Sequence, residues 1–251
     1  MSSKLSQTFH HILKLKIYLK ALDEDKASSS IKTELLANKP SMIARFGSTE
    51  IKAVLYPKMP LFFKGVFKKM MNYNPKSKEF VNMKVLSGFF PSNSQTINRF
   101  SNLMHLDMKE LDILGSWRFE EKFLVSNFEK ATIVPLQTLE PYFQLNPWSE
   151  VLKNKKVLVI HPFSKTIRSQ YQNKRKLLFK DNRILPLFKS LQTIRAVQTL
   201  AGNKVQFKDW FEALAFMKKQ IDTKDFDIAI IGAGAYGFPL AAHIKRMGKK
   251  A

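Results

Sequence analysis

Three glycines near the end of the chain have the spacing of a phosphate-binding turn. Gly232, Gly234 and Gly237 form the pattern G-x-G-x-x-G after the apolar run Ile228–Ile231 and before a stretch of helical composition. Such glycines let the backbone approach a pyrophosphate, and the N-terminus of the next helix offers free N–H groups and a partial positive charge. The turn, with Tyr236 inside it, predicts a nucleotide or phosphate site. Tight packing between strand and helix is the alternative explanation.

Two other versions of this turn fit the sequence poorly. A Walker loop would carry Lys and then Ser or Thr after the last glycine, where this chain has Phe238 and Pro239. A dinucleotide site would have an acidic residue about 20 positions further on for the ribose, and the sequence ends at Ala251. The turn therefore predicts a phosphate-binding crevice and gives no sign of NAD specificity. An NAD-dependent oxidoreductase ranks third among the functional hypotheses for this chain.

A second group of polar side chains follows the short apolar stretch Met42–Ala44, which predicts a buried strand. Arg45 interrupts this apolar segment, and we expect its guanidinium to be buried and to need an anionic partner. Ser48 can cap a helix that has Glu50 in its first turn. Open α/β sheets bind ligands at such strand ends. Glu50 is thus a candidate site residue, with a surface glutamate near a helix N-terminus as the alternative.

A third group follows the apolar run Val157–Ile160, another predicted buried strand. His161 comes at its end, where it can donate to a phosphate, and a structural histidine is an equal alternative. On the basic helix that follows, Arg168, Tyr171 and Arg175 share a face because they are three and four residues apart. This face is predicted to grip a diphosphate while Tyr171 stacks on a base or sugar.

Several carboxylates lie near the predicted strand Leu111–Trp117, among them Asp112, Glu120 and Glu121. A carboxylate placed there can deprotonate an acceptor hydroxyl. Asp112 is our second catalytic candidate beside Glu50. An ordinary surface acid is the alternative for each of them.

Strands and helices alternate along the chain, most clearly from Val157 onward. This order predicts an α/β fold in which helices flank a Rossmann-like, mostly parallel sheet. We expect a single domain over residues 1–251, in which residues 1–27 form an N-terminal helix and linker. The apolar spacing of Leu5–Leu22 predicts an amphipathic helix docked on the domain, with contact to an anionic membrane as the alternative. The polar run Asp23–Ser30 predicts the linker, and Ser30 is predicted to cap a short helix through Leu36. Lys249–Ala251 look like the start of another strand, so we expect the C-terminal end to be truncated.

Other elements follow from the same periodicities. Strands are predicted at Thr132–Leu136 and Thr193–Val197, and Ser87–Ser92 is predicted to end a strand. Helices are predicted at Ser94–Leu106 and Val205–Ile221.

The charge and composition narrow the class of protein. The chain carries 42 Lys and Arg against 20 Asp and Glu, a net charge of +22, which favours an anionic partner such as nucleic acid, an acidic lipid surface or a phosphorylated substrate. It has no cysteine, which excludes disulfides and thiolate metal sites. No apolar run reaches the roughly 20 residues needed to cross a bilayer, and no signal-peptide core is present, so we expect a cytoplasmic protein. The aromatic and lysine-rich run Pro60–Met71 is predicted to be a core helix, with peripheral membrane contact as the alternative.

Several motifs resemble those of the bacterial glycosyltransferases with the GT-D fold. The run ARFGSTE, which contains Arg45, Ser48 and Glu50, is similar to the family signature R-[FY]-G-[DS]-x-E. Further similarity lies in VLVIHPF, in the pattern of Gln170, Tyr171 and Arg175, in WFEAL and in FDIAIIGAGAYGFPLAA, which together extend over most of the chain in the expected order. The resemblance implies a GT-D-type fold and transfer of a sugar from a nucleotide-diphospho-sugar to a bacterial surface glycan, glycoprotein or lipid-linked acceptor.

One position departs from the family pattern. The family's Asp-x-Glu pair has Ser48 in place of Asp, so only Glu50 corresponds to a motif carboxylate. Two carboxylates are the usual means of holding Mg²⁺ or Mn²⁺ beside a diphosphate. Glu50 is therefore the one metal ligand that the resemblance implies, and Arg45 or the basic helix is the alternative means of neutralising the leaving diphosphate.

Two hypotheses from different classes remain. The leading one is a glycosyltransferase whose donor site is lined by Arg45, Glu50, the glycine turn and the basic helix. The competing one is a non-catalytic nucleic-acid-binding protein, which rests on the net charge alone because no RNA-reading signature or helix-turn-helix pattern is present. Salt-dependent binding of an oligonucleotide, tighter than binding of a nucleotide, would favour the second.

Overall fold

The structure is a computed structural model, and it describes residues 24–58, 78–199, 203 and 205–251. From Lys156 onward, helices alternate with parallel strands, as the sequence predicts, whereas the three strands between residues 113 and 161 follow one another with only short 3-10 turns between them. The predicted helix Leu5–Leu22 and the run Pro60–Met71 lie outside the described residues. No helix in the described part of the chain is long and apolar enough to cross a membrane.

The helices and strands are numbered here in chain order. The described α-helices are α1 (Glu24–Leu36), α2 (Ser48–Lys58), α3 (Lys78–Val85), α4 (Ser94–Asp107), α5 (Ser164–Leu178), α6 (Trp210–Asp222) and α7 (Gly237–Arg246). The described strands are β1 (Ile43–Ala44), β2 (Ile113–Ser116), β3 (Thr132–Pro135), β4 (Lys156–His161), β5 (Ser190–Arg195) and β6 (Ile228–Ile231).

All pairs among these strands are parallel, in the orders β1-β2-β3 and β5-β4-β6. Helices cover the strands, so the apolar runs of the central strand β4 are buried on both faces: Val157, Leu158 and Ile160 have no exposed surface. Because the strands of each group run in one direction, their carboxyl ends meet at one edge. The predicted α/β class and the parallel strand pairing are confirmed, but the strands form two three-stranded sheets and not one.

The last three residues of the chain join the two strand groups. Lys250 forms parallel bridges with Ser41 on one side and Ile228 on the other. The N–H of Ala229 donates to the Lys250 carbonyl at 2.8 Å, and the N–H of Ile43 donates to the Ala251 carbonyl at 2.9 Å. Strand-like pairing after Gly248 is therefore confirmed, and it holds β1 and β6 on either side of the same short segment.

The polar run Asp23–Ser30 is not a linker, because α1 begins at Glu24. Ala27, Ile31 and Leu35 are spaced by four residues, and all three are buried. Ser28 is also buried, and its hydroxyl donates to the Asn146 carbonyl at 2.7 Å. The serines thus lie in a helix that packs on other parts of the described fold.

Three other boundaries differ from prediction. Ser87–Ser92 follows a helix, α3, and does not end a strand. The helix predicted from Val205 begins at Trp210, because the Asp209 side chain accepts the N–H of Glu212 at 2.7 Å and caps it there. Strand β5 begins at Ser190, earlier than predicted.

Aromatic stacking joins the segment after β1 to the start of α7. The Phe46 and Phe238 rings lie 4.9 Å apart and nearly parallel, and Phe46 is 1% exposed. The indole N–H of Trp117, just after β2, donates to the Phe46 carbonyl at 2.8 Å. The residues that follow β1 are therefore held against both the neighbouring strand end and the glycine turn.

Candidate functional site

A cavity of about 400 Å³ opens at the carboxyl ends of β1, β3 and β6. Its lining combines residues that are far apart in sequence. Arg45, Gly47 and Glu50 follow β1, and Gly232, Gly234 and Gly237 follow β6. Most of the remaining lining is apolar, which is typical of small-molecule sites that use a few polar groups for orientation. The volume also falls within the usual range for such sites. The structure thus brings two sequence-predicted groups to one place.

Arg45 is exposed, contrary to the predicted burial, because β1 ends at Ala44. Its guanidinium lies 5.8 Å from the centroid of the Trp117 ring, an arrangement that orients a cation without neutralising it. Among the described residues no ion pair of Arg45 is found. Its charge is therefore available to an anion in the cavity.

Glu50 lies in the first turn of α2, and its carboxylate folds back against Gly47. A Cβ atom on Gly47 would overlap the Glu50 carboxylate, so the glycine at this position leaves room for the present side-chain conformation. Ser48 stands between them as the first residue of α2, and it is not part of the cavity lining. Gly47 therefore has a steric role beside Glu50, and this role does not depend on a carboxylate at position 48.

We expect Gly47→Ala to displace the Glu50 side chain while leaving the fold intact. Alanine needs no unusual backbone conformation here, so the free energy of unfolding should change by less than about 1 kcal/mol. Any turnover that depends on Glu50, the predicted catalytic residue, should fall to the level of a Glu50→Gln variant. Urea denaturation and turnover, measured on the same preparation, separate the two effects.

Gly237→Ala is the matched control for stability. A Cβ at Gly237 would meet only the Ile231 side chain, at an ordinary 3.8 Å, so alanine should stabilise the start of α7 slightly. If Gly47→Ala retained full turnover, Glu50 would not act in its present conformation.

The three glycines of the turn have different structural causes. A Cβ at Gly232 would lie 2.5 Å from the His161 ring, so close approach of the imidazole requires glycine there. Gly234 has φ +54°, in the left-handed region that favours glycine. Gly237 has neither constraint in this structure. The imidazole Nδ1 of His161 accepts the N–H of Phe163 at 3.0 Å, so a neutral ring carries its proton on Nε2.

The basic helix contributes less to this cavity than predicted. The Tyr171 ring stacks on Phe188 at 4.6 Å, and its hydroxyl accepts the Phe188 N–H at 2.7 Å. Arg175 donates to the Leu185 carbonyl at 3.0 Å. These two side chains hold the segment that leads into β5, whereas Arg168 is exposed. None of the three lines the cavity.

Tyr236 also lies away from the cavity surface. It is 2% exposed and stacks on Trp210 at 4.8 Å. Burial raises the pKa of its phenol to about 12. Tyr236 therefore anchors the glycine turn in the core, which differs from the predicted contact with a ligand.

Asp112 lies at the opposite edge of the sheet from Glu50, because it precedes β2. Its carboxylate accepts the Met42 N–H at 2.8 Å and pairs with Lys245 at 2.7 Å. The structure does not bring the two catalytic candidates together, and we assign Asp112 to positioning the strands.

Two further carboxylates lie near the carboxyl edge: Glu140, which no sequence motif indicates, and Glu121, which follows the predicted strand Leu111–Trp117. Glu140 follows β3 and lines the cavity with Glu50. Glu121 is 1% exposed and accepts hydrogen bonds from the Ser116 hydroxyl and from the N–H groups of Trp117 and Arg118. Their position after parallel strands was the only sequence signal for either.

Burial raises the pKa of Glu121 to about 7, despite hydrogen bonds that favour its charged form. The unfolded chain therefore loses this proton near pH 4.5 and the native protein near pH 7. Stability is thus highest below the unfolded pKa and falls as pH rises through this window. We expect a loss on the order of 2–3 kcal/mol in the free energy of unfolding.

Glu121→Gln should remove this pH dependence, since the amide resembles the protonated acid and satisfies the same partners. Urea denaturation at pH 5 and pH 7.5 should show that the free energy of unfolding of the variant rises relative to that of the native chain as pH rises. If the free energy of unfolding changed equally with pH in both proteins, Glu121 would ionise normally in the folded state.

Two glutamates of the cavity are candidates for the predicted Mg²⁺ or Mn²⁺. Glu50 and Glu140 are the Asp or Glu side chains of its lining within the described ranges. No three His, Cys, Asp or Glu side chains come together there or elsewhere in the described part of the chain. One or two carboxylates can hold Mg²⁺ when substrate phosphates and waters supply the other ligands, so the metal stays a prediction, and the mechanism proposed below uses none.

Comparison of the chain with family models, with curated proteins and with solved structures finds no match.

Proposed function

We propose that the chain is a glycosyltransferase that takes a sugar from a nucleotide-diphospho-sugar. The observation that supports this is the meeting of Arg45 and Glu50 with the glycine turn around one cavity at the carboxyl edge of the sheet. An unpaired guanidinium, a helix N-terminus and a carboxylate are the groups that such a reaction needs. The acceptor is a hydroxyl of a bacterial surface glycan, a glycoprotein or a lipid-linked sugar.

In this proposal the diphosphate lies between Arg45 and the start of α7. Gly237 and Phe238 begin that helix at the cavity wall, where the positive end of the helix dipole favours an anion, although the Gly237 N–H itself donates to the Gly234 carbonyl. The bond between the anomeric carbon and the diphosphate oxygen breaks, and the charge that develops on the leaving group is stabilised by the helix dipole and by Arg45.

The acceptor oxygen then bonds to the anomeric carbon and must lose its proton. Glu50 is the carboxylate of the signature run, and it receives this proton as a general base. Glu140, which follows β3, accepts hydrogen bonds from sugar hydroxyls in this proposal. Each role uses a side chain that lines the cavity.

A thermal-shift panel of UDP-, GDP-, CMP- and dTDP-sugars, with and without Mn²⁺, tests the proposal. One nucleotide class at about 100 times its Kd should raise the melting temperature by roughly 5–10 °C. A single-stranded oligonucleotide at equal phosphate concentration is the comparison. Stabilisation by the oligonucleotide alone, lost at high salt, would instead support a nucleic-acid-binding protein.

A further inference from the structure

A contiguous apolar and basic surface lies beside the cavity. The Tyr142 and Phe143 rings are 4.5 Å apart, and Tyr142 also stacks on Phe179 at 6.5 Å. Leu145 is joined to the same region because its carbonyl accepts a hydrogen bond from Arg183 at 3.1 Å. We call these side chains, with Leu177 and Leu178 next to Phe179, the aromatic patch.

The aromatic patch is unusually exposed for its size. Phe143 is 62% exposed, Leu145 81% and Leu177 83%. Single apolar side chains are common on protein surfaces, but a cluster of this kind marks a surface that contacts another apolar phase.

Positive charge predominates on the helix side of the patch. Helix α5 carries five Lys and Arg and no acid, and its last turn leads directly into the patch. Lys176 and Lys180 are exposed on either side of Leu177 and Leu178. The nearby Asp181 is already paired with Arg183 at 2.8 Å, so it does not offset these charges.

We propose that the aromatic patch docks the protein on an anionic lipid surface. Aromatic and leucine side chains enter the boundary between headgroups and acyl chains, while lysines bind acidic headgroups. Nucleic acid would use the same charge, but exposed leucines add nothing to phosphate or base contacts. The combination of exposed apolar side chains and exposed lysines therefore favours a lipid surface.

The patch is continuous with the cavity. The Tyr142 hydroxyl donates to Glu140 at 2.7 Å, and Glu140 lines the cavity. Docking thus places the cavity mouth near the lipid surface, within reach of a lipid-linked acceptor. Only this last step rests on the proposed function, and vesicle binding requires no sugar donor.

Co-sedimentation of the full chain with vesicles tests the proposal. We expect binding to phosphatidylcholine vesicles that contain phosphatidylglycerol and none to pure phosphatidylcholine. The double variants Phe143→Ser/Leu145→Ser and Lys176→Glu/Lys180→Glu should each weaken binding by at least about tenfold. All four side chains are exposed, so the fold should persist, as a melting curve will verify.

Matched controls change equally exposed positions elsewhere. Leu36→Ser/Leu86→Ser removes two leucines that are 65% and 62% exposed, and Lys130→Glu/Lys219→Glu changes the net charge equally. Both controls should bind like the native chain. Native-level binding by both patch variants would assign the contact to another part of the chain and overturn the proposal. Loss of oligonucleotide binding in the charge variant, without vesicle binding by the native chain, would also overturn it.

Discussion

Arg45→Ala is expected to weaken binding of the nucleotide-sugar donor by about 10- to 100-fold. The guanidinium is exposed, has no carboxylate partner among the described residues and faces the cavity, so its removal deletes a charge-assisted contact worth roughly 1.5–3 kcal/mol. Glu50→Gln should behave differently. It should leave donor binding within a few-fold and lower turnover by about 10²–10⁴, because the amide cannot accept the acceptor proton.

Arg99→Ala is the matched control for Arg45→Ala. Arg99 is also exposed and also lies over an aromatic ring, that of Phe211 at 3.8 Å, but it is not part of the cavity lining. Glu129→Gln is the matched control for Glu50→Gln. If Arg45→Ala and Arg99→Ala weakened donor binding equally, the effect would come from net charge. The proposal that the cavity is the donor site would then be wrong.

Phe46→Ala is expected to lower the free energy of unfolding by about 3–5 kcal/mol, the range for truncating a buried phenylalanine. Phe46 stacks on Phe238 and lies 5.8 Å from the Phe128 ring, so the change leaves a cavity between the segment after β1 and the start of α7. Urea denaturation measures this loss. The milder Phe46→Leu should remain folded and weaken donor binding, because Arg45 is then held less firmly.

Phe216→Ala is the control for this truncation. Phe216 is 38% exposed, and we expect a much smaller loss of stability. A loss below about 1 kcal/mol for Phe46→Ala would mean that the stack does not hold the two halves of the cavity together.

The parts of the fold that follow from local pattern were predictable from the sequence. Buried parallel strands such as Val157–Ile160 show as continuous apolar runs, and the glycine turn shows its spacing directly. The helix predicted from the Ser30 cap to Leu36 begins earlier, at Glu24, because three serines and the acids obscure the spacing of Ala27, Ile31 and Leu35. Ser28 is satisfied by a carbonyl 118 residues away, which no local pattern reveals.

The position of the candidate site was more predictable from the sequence than the burial and contacts of its side chains. Arg45 and Glu50 were placed correctly at a strand end, but the burial of Arg45 was predicted wrongly because the length of β1 is set by pairing with β2. Tyr171 and Arg175 do share a face, as their spacing predicts. That face packs on residues 185–188, since tertiary contacts decide which neighbour a helix face meets.

The central claim is that two strand ends, far apart in sequence, bind one diphosphate together. Hydrogen–deuterium exchange with a saturating nucleoside diphosphate tests this directly. The account predicts simultaneous protection of residues 45–51 and 232–238, with no change in the backbone of α5. Protection confined to α5, or none in either strand-end segment at saturation, would contradict it.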